Sequence, residues 1–285
     1  MIEINHKDKI ILVGSTGFIG SHILYSFPKF NIKFATSSKN YSDTKLDLNS
    51  KKDIENLNIE KGDFVVITAT AWSPEYKKIS IEESRNINIQ GTRFLIEKAL
   101  EKKAKVIYFS SDTVYGVNNN ICLENTICNP IGDYAKMKNN IENIFHNCLD
   151  FKSLRLSYVF AKNDKFTNYL LSCSDNSICA DVFDTFYRSI ICIDDICKGL
   201  KALINEWDNV KESNINFGGP KLLSRMDIAQ IYKNELLKDL QIKSIEPPKD
   251  FFLTRPAKIE LQSNILNKLI KEDFTSLQNF IKNHF

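Results

Sequence analysis

Two spacings of apolar residues alternate along this chain. The run IILV at 10–13 is continuous, whereas Phe18, Ile19, Ile23, Leu24 and Phe27 fall on one helical stripe. A continuous run of that length suits a buried strand, and the stripe suits an amphipathic helix. Between them stands GSTGFIG, residues 14–20. Glycines at such a junction let the backbone turn sharply and let another group approach closely. The alternation recurs: strands are predicted at 31–36, 63–70, 105–111 and 153–161, with helices over 85–103 and 134–149. Strands rich in Val, Ile and Phe, separated by amphipathic helices, predict an α/β fold with a doubly wound parallel sheet covered on both faces.

Past residue 160 the alternation loosens. Helices are predicted over 165–173, 195–207, 226–238 and 276–285, with a mixed region at 177–195, a short strand and turn at 214–219 and an irregular stretch at 246–256. Asp195 reads as an N-cap for its helix. The pattern predicts a nucleotide-binding domain over 1–160 and a smaller mixed α/β lobe over 161–285, interleaved with it.

Composition narrows the partners. Net charge is 38 − 35 = +3 over 285 residues, with no basic block, so neither nucleic acid nor an anionic membrane is expected to bind. The polar amino terminus shows no signal peptide, and no apolar run reaches the ~20 residues that span a bilayer. Seven cysteines without a CxxC pair, beside four histidines, predict no metal site and reduced thiols, which fits a cytoplasmic protein.

Candidate chemistry lies at strand ends. A glycine turn between strand and helix can present helix N-terminal amides to a pyrophosphate; it can also simply pack helix on strand. The fourth strand ends in SSDTVYG, 110–116, and YAKMK follows at 134–138. Tyr134 and Lys138 are four apart, on one helix face. An unperturbed tyrosine has a pKa of about 10, too high for proton transfer at neutral pH, and a nearby ammonium lowers it. Ser111 could then hold a substrate oxygen while Tyr134 passes the proton. A surface helix with a snorkelling lysine would give the same spacing.

In order, GSTGFIG, TATA (68–71), NIQGT (88–92), SSDTVYG and YAKMK resemble the motifs of the extended short-chain dehydrogenase/reductase family, nearest its dTDP-4-dehydrorhamnose reductase-like nucleotide-sugar 4-reductases. The resemblance is good over 9–160 and loose beyond. It implies a Rossmann domain and a substrate lobe. It places Ser111, Tyr134 and Lys138 in catalysis, with Asn88 supporting a lysine-side proton relay. The cofactor would be held by Gly14, Thr16, Gly17, Phe18, Ile19 and Gly20, by Asp47 and Leu48 near the adenine, by Thr68, Ala69 and Thr70, and by Tyr134 and Lys138. Asp47 reads equally well as a loop residue opening the next helix. Ser111, Asp112, Thr113, Arg188 and Arg255 would meet the substrate, Arg188 at the nucleotide diphosphate, although a structural salt bridge would explain Arg188 as well. The resemblance allows a homodimer.

The end of the second strand carries Thr36, Ser37, Ser38 and Lys39. Dehydrogenases choosing NAD place a carboxylate there, so this loop favours NADP(H) over NAD(H). After Ser111 the chain has Asp112 and Thr113 where the family's dehydratases have Asp-Glu, and where GDP-fucose synthase has its cysteine. What the resemblance leaves is reduction of the C4 keto group of a nucleotide-linked 4-keto-6-deoxysugar by NADPH, in deoxysugar biosynthesis for surface polysaccharide. An NAD-dependent nucleotide-sugar 4-epimerase and a non-catalytic dinucleotide-binding regulator are the alternatives.

Overall fold

The computed structural model describes residues 9–27, 32–36, 44–72 and 79–285. The chain divides into two compact units that exchange segments. The first is Met1–Ser111, Asp133–Leu154 and Leu200–Ile215; the second is Asp112–Gly132, Arg155–Gly199 and Asn216–Phe285. The chain crosses between the two units several times.

In the first unit, β1 (Ile10–Val13) leads through the glycine turn to α1 (Phe18–Ser26), then β2 (Ile32–Thr36), β3 (Thr44–Lys45), α2 (Lys51–Asn56) and β4 (Phe64–Ile67). After α3 (Ile81–Arg85) comes a six-residue π-helical turn, Asn86–Gly91, continuous with α4 (Thr92–Glu101) and followed by β5 (Lys105–Ser111). The helix predicted over 85–103 is therefore not uniform. Helix α5 spans Gly132–Phe145, β6 spans Phe151–Leu156, and, after the second unit's β7 (Val159–Phe160), α6 (Lys165–Asp175), β8 (Ala180–Val182) and β9 (Tyr187–Cys192), the chain returns through α7 (Ile193–Asn205) to β10 (Asn214–Phe217). The sheet order is β10-β6-β5-β4-β1-β2-β3. Strand β1 pairs in parallel with β2 and with β4, and β4 in parallel with β5. The order reverses between β1 and β4, and ligands of such sheets sit beyond strand carboxyl ends at that switch. Ile11, Val13, Val65, Ile67, Val106 and Tyr108 from the strands bury against Leu95, Ile96, Ala99, Ile141 and Phe145 from α4 and α5.

The remaining elements belong to the second unit: β11 (Lys221–Ser224), α8 (Arg225–Glu235), β12 (Ile242–Ser244), β13 (Lys258–Ile259), α9 (Asn264–Ile270) and α10 (Leu277–His284). Strand β9 pairs antiparallel with β11 and parallel with β13 and β7, while β12 pairs with β8. The single strand predicted over 153–161 breaks at Ser157–Tyr158, because β6 joins the large sheet and β7 pairs with β9. Helix α8 starts in a capping box, Ser224 with Asp227, which stabilises by satisfying first-turn amides. Asp195 does not cap its own helix. It is buried within the first turn of α7, and its carboxylate accepts from the amide and hydroxyl of Thr275 at 2.7 and 3.1 Å.

Candidate functional site

The glycine turn lies at the carboxyl end of β1, and its three glycines have different reasons to be there. Gly14 has φ +92°, where an L side chain is strained, and a Cβ on it would lie 2.6 Å from the Ala69 nitrogen. A Cβ on Gly20 would overlap the Gly14 carbonyl oxygen. Both are required so that α1 can pack down on β1 and β4. Gly17 differs: a Cβ there meets only the Gly14 oxygen, at 3.3 Å. Gly17 is also the N-cap of α1, and no side chain caps that helix, so its first-turn amides stay available to an anion. A cavity of about 500 Å³ opens here.

That cavity is lined by Gly14, Thr16, Gly17, Phe18, Ile19, Gly20, Asp47, Leu48, Thr68, Ala69 and Thr70 of the expected cofactor residues, together with Val13, Leu46, Ala71 and Ile87. These last four are the missed ones; the end of an apolar strand and the L-D-L alternation at 46–48 were the available signals. A cradle whose open face is a glycine at a helix N-terminus fits a dinucleotide pyrophosphate. Thr36 ends β2, and Ser37, Ser38 and Lys39 lie outside the described residues, so the cofactor-choosing loop is a reading of the sequence alone.

Tyr134 and Lys138 lie a turn apart on α5. Lys138 is buried, donates to the Phe109 carbonyl oxygen at 2.8 Å, and stands 4.6 Å from the Tyr108 ring centre and 5.8 Å from that of Tyr134. Burial pulls its ammonium down to about 7, against the opposing pull of Glu142 one turn on. Lysine 138 is therefore not a snorkelling surface residue. Tyr134 is half-buried, with the Trp72 indole 5.7 Å from its ring at 45°. Ser111, at the last position of β5, is nearly buried. Tyr108, wholly buried beneath, is held well above an ordinary phenol, by burial first and by Tyr134 and Glu142 next.

Asn88 projects from the π-helical turn and is buried. Its Oδ1 accepts from the Ala71 amide at 2.8 Å and the Thr70 hydroxyl at 3.3 Å, and its Nδ2 donates to the Ala71 carbonyl at 2.7 Å and to Ser84 Oγ at 3.1 Å. These bonds grip the segment after β4.

The expected substrate residues Asp112, Thr113, Arg188 and Arg255 belong to the second unit. Asp112 and Thr113 form a 3-10 turn after β5. Asp112 and Arg188 are buried and paired, Nε to Oδ2, at 3.5 Å. The Arg188 guanidinium also donates to the carbonyls of Tyr187 (2.6 Å), Ala257 (3.2 Å) and Pro256 (2.7 Å), and Ser157 donates to Asp112 at 2.9 Å. Burial lowers the Arg188 guanidinium to about 10, opposed by Asp112 and assisted by Arg225 and Arg255. Arg188 therefore makes a structural salt bridge. Arg255 lies over the Phe251 ring, 4.5 Å from its centre. Among the described residues no cluster of three or more His, Cys, Asp or Glu could hold a metal ion, and no helix is long and apolar enough to cross a membrane.

A family model for the RmlD substrate binding domain matches residues 8–283. The chain belongs to that family. It is thereby a member of the extended short-chain dehydrogenase/reductases. Similar to this RmlD-family chain is a dTDP-D-glucose 4,6-dehydratase of Dictyostelium discoideum, 27% identical, over 79% of this chain and 63% of that one. An N-acetyl-alpha-D-glucosaminyl-diphospho-ditrans,octacis-undecaprenol 4-epimerase of Escherichia coli O157:H7 is 28% identical over 48% of this chain and 43% of its own length. The chain thus spans less than two thirds of these curated relatives. Among solved structures, a UDP-glucose-4-epimerase of Stenotrophomonas maltophila with bound NAD and formylated UDP-arabinopyranose matches with TM-score 0.80, 14% identity and 96% of each chain. A mutant UDP-glucuronic acid 4-epimerase of Bacillus cereus, in complex with NAD and a fluorinated UDP-sugar, matches with TM-score 0.75 and 21% identity, over 97% of this chain and all of that one. At such identities these establish the RmlD-family chain's fold.

Proposed function

We propose that this protein is a nicotinamide-dinucleotide-dependent enzyme acting on a nucleotide sugar, and that its reaction is NADPH-dependent reduction of the C4 keto group of a 4-keto-6-deoxysugar. The observation that carries the reading is the pairing of Tyr134 with a buried Lys138 on α5, beside a Rossmann sheet whose switch point holds a cavity walled by the glycine turn. The similar proteins, named for nucleotide-sugar and diphospho-linked sugar chemistry, support the substrate class.

The cofactor would be held by Gly17 and the first-turn amides of α1 at its pyrophosphate and by Asp47 and Leu48 further along the cavity; bound there, it supplies or accepts hydride. Tyr134 donates the proton to the oxygen formed at the reduced carbon. Ser111 hydrogen-bonds the same oxygen, and the charged form of Lys138 favours the tyrosinate left behind. Dehydration would need a carboxylate acid and base after Ser111. The first, Asp112, is bound by Arg188 and Ser157, and Thr113 stands where the second would be.

An NAD-dependent 4-epimerase is the second reading, favoured by the epimerases among the similar proteins. Purified protein offered a panel of 4-keto-6-deoxy nucleotide sugars separates the two. Stoichiometric NADPH oxidation with a reduced sugar supports the reductase. Interconversion of 4-hydroxy epimers with tightly held NAD and no net cofactor use sinks it.

A further inference from the structure

The π-helical turn at Asn86–Gly91 joins two features that the sequence shows separately. Ile87, on that turn, lines the cavity, as do Thr70 and Ala71. Asn88, the next residue, is bonded through both ends of its amide to Thr70 and to the peptide groups of Ala71. Ser84 strengthens the grip, its hydroxyl donating to the Ala71 carbonyl at 2.5 Å. The residue after Ala71 is Trp72, whose indole packs on Tyr134. Asn88 Nδ2 also lies 3.9 Å from the Met137 sulfur, on the same helix as Tyr134. A π turn widens a helix by one residue and recurs at functional sites; here it carries Asn88 against the segment leaving β4.

We infer that Asn88 and Trp72 are positioning residues for Tyr134: the amide clamp fixes the backbone at Ala71, and the backbone holds the indole that sets the orientation of the phenol ring. The role rests on the reading of Tyr134 given above. Aromatic rings in contact favour particular mutual orientations, so an indole that is itself fixed selects the orientation of the phenol ring packed on it. Among the described residues, charged or titratable groups near Tyr134 include Lys138 on its own helix and Tyr108 from β5, while Asp133, its neighbour in sequence, pairs with Arg85 of α3 at 3.1 Å.

The chain has two tryptophans, so the emission of Trp72 is the difference between the wild-type protein and Trp72→Phe, in which only Trp207 remains. Tyrosinate quenches a neighbouring indole. The difference emission should therefore fall in a step as pH rises, and Tyr134→Phe should abolish that step. In folded Asn88→Ala most of the step should be lost, and in Ser84→Ala, which removes one arm of the clamp, part of it. An unchanged step in folded Ser84→Ala and Asn88→Ala, or in folded Ser84→Ala alone if Asn88→Ala does not fold, overturns the inference; so does a wild-type protein with no step. Turnover separates this from the proposed function: full activity in Tyr134→Phe removes the reaction assigned to Tyr134 and leaves the fluorescence result standing. Where turnover does depend on Tyr134, Trp72→Phe should retain more kcat than Trp72→Ala, with KM little changed.

Discussion

The Nζ of Lys138 lies 2.8 Å from the carbonyl oxygen of Phe109, inside the protein. One carbonyl does not replace the hydration of an ammonium, so burial lowers this group from an ordinary 10.5 to about 7. Below pH 7 both the folded and the unfolded chain carry the proton, and the folded state bears the whole cost of the buried charge. Between about 7 and 10.5 the unfolded chain binds more protons, so stability rises with pH as that cost is relieved. Lys138→Met is expected to raise the melting temperature most at and below pH 7, with the gain shrinking towards pH 10. Melting curves of both proteins across that range check it; a gain that grows with pH would contradict the sign.

Gly17 and Gly20 should separate binding from folding. Valine at 17 meets little protein and reaches into the cavity, so Gly17→Val should fold and bind NADPH roughly tenfold or more weakly, about 1.4 kcal/mol. Alanine at 20 collides with the Gly14 backbone and should lower the melting temperature itself. Calorimetric titration and thermal unfolding of the two variants read the two effects apart.

Tyr134→Phe removes one oxygen from the proposed proton donor. Turnover should fall by roughly 10²–10⁴-fold, while NADPH binding, measured by fluorescence, stays near the wild-type value. A folded variant that keeps its rate would remove Tyr134 from the chemistry.

Breaking the buried pair of Asp112 and Arg188 should be costly. Asp112→Asn leaves an uncompensated guanidinium inside the second unit, and such losses run to about 3–5 kcal/mol. Urea unfolding of Asp112→Asn, Arg188→Met and the double variant should give a coupling energy of roughly 0.5–3 kcal/mol. Additive effects would mean that the pair does not interact.

The features legible in the sequence were the local ones. The run at 10–13, the glycines after it and the stripe on α1 are contiguous, so the strand, the turn and the cavity wall could be read together. Tyr134 and Lys138 were found because helix geometry places residues four apart on one face. The clamp of Asn88 escaped because one extra residue in a helical turn leaves no trace in composition or period. That Arg188 pairs with Asp112 escaped because the pairing joins distant stretches of chain, and a buried salt bridge and a diphosphate ligand ask for the same side chain. Strands of two or three residues, such as β3, β8 and β13, are too short for an alternation to show.

The exchange of segments between the two units has a practical side. Trp207 packs edge-on against Phe64 at 5.3 Å, and Lys152 donates to the Val210 carbonyl at 2.6 Å, so the first unit is completed by chain that arrives after residue 199. A gene fragment ending near residue 160 would encode β1 to β7 without the segment that covers Phe64, and would leave that face wet. Replacing the second unit by a single splice would fail for the same reason. The first unit can be transplanted only as three pieces of chain, which ties its inheritance to that of the other.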